Sequence, residues 1–221
     1  MCRQLCFLQA TGTRRSKLSS NHNSNNRSSN GVLSQLSAAD YARLKPDLEP
    51  VPLVFNSVTY KFEGPIEHVY FPESGVLSML AVIGTDTRVE VGLTGREGVA
   101  GLPLFLGASK SSNQIVVQAE GTAMRIGAGA ALAAFARGGA FHDAILLFTH
   151  NLFLQVSQTT SCNRYHPVEK RLARWLLMMQ SESGSSQQVP SAQAAALKIS
   201  HALKPSATTR PMEQMTSTGS E

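Results

Sequence analysis

The chain has 221 residues, 42% of them hydrophobic and 16% charged, with a formal charge of +5. That length suits one or two domains with a core of ordinary size, and no run of eighteen apolar residues is present to span a membrane. The charge argues against a basic surface spread over the body: no acid precedes Asp40, and Arg3, Arg14, Arg15, Lys17 and Arg27 ahead of it account for the whole excess.

Residues 1–30 are rich in Ser, Asn and Arg and carry no apolar period, which predicts a solvated, disordered basic tail. The cysteines are Cys2, Cys6 and Cys162. An odd count without framework spacing predicts reduced thiols and a cytoplasmic setting. No iron–sulfur cluster is expected, because such clusters normally need four thiolates.

Order is expected from near Val32. Ser37-Ala38-Ala39-Asp40, followed by Tyr41, Leu44 and Leu48, predicts a short helix with Ser37 as its N-cap. Pro46, Pro50 and Pro52 stop helix formation. Val58, Tyr60 and Phe62 then alternate with polar residues as a half-buried strand does. Val69–Phe71 and Val76–Val82 flank the turn signal Pro72-Glu73-Ser74-Gly75, and Gly84-Thr85-Asp86-Thr87 is a second turn before Val89–Leu93. Ile115–Val117 and Ala123–Ile126 follow a polar loop. Short strands at this spacing predict an α+β chain built on a closed roll or jelly roll over residues 31–135.

The period then becomes helical. Phe141, Ile145, Phe148, Leu152 and Val156 make one apolar stripe, in a helix placed at 136–163. It packs either on its own roll or against the same helix of a second subunit. His166-Pro167-Val168-Glu169 announces a further helix at 164–180, with Pro167 at its first position, continuing through Leu172, Trp175, Leu176 and Met179. Residues 181–221 are Ser, Ala, Gln and Thr with little periodicity.

This order of elements resembles the Crp/Fnr transcription regulators. The resemblance is carried by His68-Val69-Tyr70-Phe71-Pro72-Glu73-Ser74-Gly75-Val76, by Val91–Gly98, by Gly101-Leu102-Pro103-Leu104-Phe105-Leu106-Gly107, and by Cys162–Leu177. It implies a cyclic-nucleotide-binding-like β-roll, a dimerisation helix that pairs through Phe141, Ile145, Phe148, Leu152 and Val156, and the first helix of a winged helix-turn-helix. In the family the roll often binds a cyclic nucleotide, with a Glu on the ribose and an Arg–Ser pair on the phosphate. The corresponding stretch here begins at Gly101. Leu102 stands near the Glu position, Asn113 and Gln114 stand where Arg and Ser are expected, and the loop between offers Lys110. A buried phosphate without its arginine is poorly compensated, so ordinary cyclic-AMP binding is not expected.

The candidate effector residues are therefore Arg96 and Glu97 on their Gly-rich turn, with Gly101, Leu102, Asn113 and Gln114. The turn has a second reading as a plain strand connection. His68 would suit a metal-binding barrel only with further ligands at close spacing, and none follow. His142, His150 and His166 read as surface or helix-end residues. No nucleophile–base pair is visible, so no enzyme is expected.

The resemblance also implies DNA as a partner, through a reader after Gln180. Residues 189–199 suit one helix, but Pro205 breaks the next, and no apolar strand pair follows for a wing. The reader is expected to be incomplete, by divergence or by a shifted reading frame near Ser183–Gln188. Two functions follow: a regulator represented mainly by its sensing and dimerising half, or a sensor module that dimerises without binding DNA.

Overall fold

A computed structural model describes residues 28–183. The two cysteines of the tail, the stretch after Ser183 and the expected loss of the reader lie outside the described residues. The elements are α1 (Gly31–Ser34), α2 (Ala38–Leu44), a 3₁₀ turn (Lys45–Asp47), β1 (Glu49–Leu53), β2 (Val58–Tyr60), β3 (His68–Pro72), β4 (Val76–Ile83) and β5 (Thr87–Thr94). A second 3₁₀ turn (Leu102–Leu106) precedes β6 (Gln114–Ala119) and β7 (Gly121–Gly127), and the helices α3 (Ala128–Ala136), α4 (Ala140–Tyr165) and α5 (Val168–Ser183) follow. All strand pairs are antiparallel, in sheets of order β1-β7-β3 and β2-β6-β4-β5. The α+β roll followed by a long helix is the architecture expected from the sequence.

Each sheet turns one face to a common core that includes Leu53, Val69, Phe71, Leu77, Val117, Ala123 and Ile126. Alternation explains this: Leu77 and Val117 are register partners on the inner face, and the polar neighbours of each point outward. Ser37 caps α2 as expected, accepting the Asp40 N–H at 3.0 Å. β1, by contrast, forms in spite of Pro50 and Pro52. It is an edge strand, and prolines two residues apart place both missing N–H groups on the side away from β7.

Two elements depart from the sequence reading. Order reaches back into the expected tail, where Asn30 is completely buried. Its Oδ1 accepts the N–H groups of Val32 and Leu33, at 3.0 and 3.2 Å, and its Nδ2 donates to the carbonyls of Pro72 and Gly98, both at 2.8 Å. All of its hydrogen-bonding capacity is spent on fixing α1 against the roll. The second departure is α3, an alanine-rich helix between β7 and α4 that seats Ala131 and Ala134 in the core.

Helix α4 is driven into the roll at its start. Phe141, Ala144, Ile145 and Phe148 are buried, with Phe141 against Phe71 and Phe105. Phe148 lies so close over Gly98 that a Cβ there would collide with its ring. Further along, Gln155 Oε1 accepts the Leu93 N–H of the edge strand β5 at 2.8 Å. Helix α5 begins after an extended His166 (φ −106°, ψ 142°), and its first N–H groups, those of Lys170 and Arg171, reach the Pro167 carbonyl. Pro167 thus precedes the helix by one residue instead of opening it. Helix α5 folds back on the outer face of β4 and β5, where Met179 is buried with Val76 and Leu93, and Trp175 and Met178 pack alongside. Among the described residues no single helix is long and apolar enough to cross a membrane.

Candidate functional site

The six residues singled out as an effector pocket are not gathered into one. Gln114 stands opposite Leu80 and Arg88 opposite Val82, and Arg88 Nε donates to Gln114 Oε1 at 2.6 Å across β4. Ser78, Leu80 and Val82 are alternate residues of β4, so Gln114 lies on the outer face, turned away from Leu77 and the core. The Asn113 carbonyl accepts the Ser111 hydroxyl at 2.7 Å, which closes the loop before β6.

Arg96 and Glu97 lie at the other end of the sheet. Thr94 is four residues beyond Glu90, the partner of Leu80, and the strand rise makes that roughly 13 Å. There the Arg96 carbonyl accepts the Gly31 N–H, and the Glu97 carboxylate accepts the Gly95 N–H at 2.9 Å. The turn is a seat for α1.

Gly101 and Leu102 have structural work of their own. Gly101 adopts φ 104° at the start of the second 3₁₀ turn, and a Cβ would lie 2.7 Å from the Tyr60 hydroxyl. That hydroxyl donates to the His68 carbonyl at 2.6 Å, with the Ala100 carbonyl at 3.1 Å, and its burial raises the Tyr60 pKa well above the ordinary phenol range. Leu102 is buried in the core. A shallow cavity of about 200 Å³ lies between α2 and the α3–α4 elbow, lined by Leu36, Arg43, Leu44, Arg137 and Phe141 among others, and none of the six residues reaches it.

The stripe on α4 divides in two. Phe141, Ile145 and Phe148 are buried within their own chain, so they offer no area to a second subunit, and their assignment to a dimer interface is corrected. Gly98 admits Phe148 closely, and Phe141 packs among Phe71 and Phe105. Leu152 packs against the edge of the same core, and Val156 is half-buried. The face of α4 turned away from the roll is apolar as well. Leu146, Leu147, Phe153 and Leu154 are all exposed, Phe153 to 71%. Leu146 and Phe153, like Leu147 and Leu154, are seven residues apart and form a narrow seam.

The outer face of β4 and β5 holds a group that sequence reasoning missed. Glu90 Oε2 accepts the Ser78 hydroxyl at 2.6 Å, and the Trp175 side chain of α5 bonds to the same carboxylate, with Arg174 nearby. Burial raises the Glu90 pKa, and the Ser78, Trp175 and Arg174 interactions offset this only in part. Arg174 itself donates from Nη1 to Thr159 Oγ1 at 3.0 Å, tying α5 to α4. The available signal was an acid inside a strand of β-branched residues, Val89-Glu90-Val91.

The histidines are spread out. His68 lies beside Tyr70, His142 stacks on Phe135 and contacts Asp143 at 3.1 Å, and His166 follows α4. Among the described residues no three His, Cys, Asp or Glu side chains converge on a point that could hold a metal.

No family model matches this sequence, and no curated protein matches it. Solved structures do. The c-di-GMP-responsive global regulator CLP of Xanthomonas campestris superposes with a TM-score of 0.53 at 17% identity, over 64% of this chain and 71% of that one. FixK2 of Bradyrhizobium japonicum gives 0.53 at 13%, over 61% and 66%. A CooA variant from Carboxydothermus hydrogenoformans gives 0.50 at 11%, over 72% and 99%. At these identities the likeness is one of fold. The described region shares the fold of these structures. More particularly, it is an antiparallel β-roll followed by a long helix.

Proposed function

We propose that this chain is a cytoplasmic, non-enzymatic transcription regulator of the Crp/Fnr type, whose described part is the sensing and dimerising half. The observation that carries the proposal is the exposed seam of Leu146, Leu147, Phe153 and Leu154, on a helix anchored to a roll of this fold. Two such helices in parallel would bury the seam and give a two-fold axis, the symmetry of a palindromic operator. This moves the subunit contact from the buried side of the stripe to the face opposite. The effector is other than cyclic AMP, because the Arg–Ser positions hold Asn113 and Gln114 and the Gln114 side chain is engaged by Arg88 on the outer face.

Light scattering on the purified chain and mobility shift at several salt concentrations test this together. The wild type is expected to be a dimer, and DNA retention that survives moderate salt would support the regulator reading. Leu147→Asp with Phe153→Asp is expected to weaken the dimer by about 100-fold or more, since an unpaired charge in a buried contact is heavily penalised. A wild-type monomer would sink the subunit reading. A dimer with only weak, steeply salt-sensitive DNA retention would identify the alternative, a sensor that acts by dimerising alone.

A further inference from the structure

We propose that α5 is a detachable arm, held on the outer face of β4 and β5 while Glu90 is neutral and released about the His166–Pro167 joint when Glu90 is charged. Four observations carry this. The joint is a true break: His166 is extended and Pro167 has no N–H to continue the ladder of α4 into α5. The apolar hold is small: among the arm's described side chains Met179 alone is fully buried, against Val76 and Leu93, with Trp175 and Met178 partly buried beside it. Under the arm lies a carboxyl group where an apolar residue would have packed without penalty, bonded to Ser78 of β4 and Trp175 of α5. Finally, docking shuts Arg171 Nε and Arg174 Nη2 away from solvent with no hydrogen-bond partner among the described residues, a penalty that release removes.

The groups facing Glu90 are Ser78 from β4, Arg174 and Trp175 from α5, and Arg88 two residues away on β5, whose Nε is taken by Gln114. Arg174 favours the carboxylate, yet burial outweighs it and the docked pKa lies above the ordinary glutamate range. A group whose pKa is raised by docking holds the docked state most firmly below its undocked value. That hold is lost as pH rises through the docked value, with the proton passing to water. The regulatory meaning of the arm rests on the transcription-regulator proposal, because α5 is the segment resembling the first helix of the DNA-reading module. The movement itself does not.

Trp175 is the only tryptophan of the chain, so its fluorescence and its quenching by acrylamide report on the arm alone. They do so whether or not DNA binds. Between about pH 4 and pH 8 the wild type is expected to change from blue-shifted and shielded to red-shifted and accessible, with one midpoint above the ordinary carboxylate range. Glu90→Gln keeps the neutral form and is expected to stay shielded throughout. Met179→Asp is expected to be accessible at every pH, with the circular dichroism and thermal transition of the roll retained. A pH-independent wild type, a Glu90→Gln variant that follows the wild-type transition, or a Met179→Asp variant as shielded as the wild type would each overturn the proposal.

Discussion

Helices α4 and α5 both lie against β5, yet they are held in different ways. Helix α4 sinks Phe141, Ala144, Ile145 and Phe148 into the main core, while α5 buries Met179 in a small separate cluster. The first helix also meets backbone: Phe148 presses on Gly98, and Gln155 takes the Leu93 N–H. The second meets a carboxyl group and leaves two guanidinium nitrogens without a partner among the described residues. An apolar stripe of similar appearance in sequence is thus a fused element in one case and a removable one in the other. What decides is the number of large side chains that reach the core and whether the polar groups beneath are satisfied.

Three substitutions break or sharpen that contrast. Phe148→Ala is expected to cost about 3–5 kcal/mol of global stability, read by chemical denaturation, because the cavity opens in the shared core. Asn30→Ala is expected to cost about 2–3 kcal/mol in the same measurement. It leaves the Gly98 and Pro72 carbonyls without their donor and frees the loop on which Phe148 rests. Met179→Ala, although it removes an equally buried side chain, is expected to cost less than about 1 kcal/mol, since the arm can detach without the roll unfolding. A Met179→Ala effect as large as that of Phe148→Ala would erase the distinction and make α5 an integral part of the core.

Much of the roll was legible because short apolar, β-branched runs are bounded by turn signals, as Glu73-Ser74-Gly75 and Gly84-Thr85-Asp86 separate β3, β4 and β5. The strand β1 was not, since two prolines argue against a strand unless both empty positions face outward, which is knowledge of topology. Helix α3 escaped because, among its six alanines, Leu132 and Phe135 alone are too few large apolar residues to show a period. Asn30 was hidden by the Ser- and Asn-rich stretch before it, although an Asn two residues ahead of Val32 is an N-cap signal in itself. For α4 the period revealed an apolar face and not what covers it. A second apolar face, Leu146 to Leu154, ran beside the first, and only packing shows which is inside. The candidate effector residues came from resemblance along the chain. Their dispersal follows from the register of β4 with β5 and β6, which local sequence does not specify.

The two prolines of β1 and the side chain of Gln155 also have a shared consequence. A sheet edge with free N–H and C=O groups is a template on which another chain can add a strand, the first step toward aggregation. On β1 the outward donors at positions 50 and 52 are deleted from the covalent structure, and no stranger can use them. On β5 the Leu93 donor is occupied by a helix of the same chain. The first protection is permanent, whereas the second lasts only as long as α4 stays in place. Truncation just after Phe148 would remove Gln155 while leaving the buried anchor intact, and β5 would then be the edge at which such a fragment joins its neighbours.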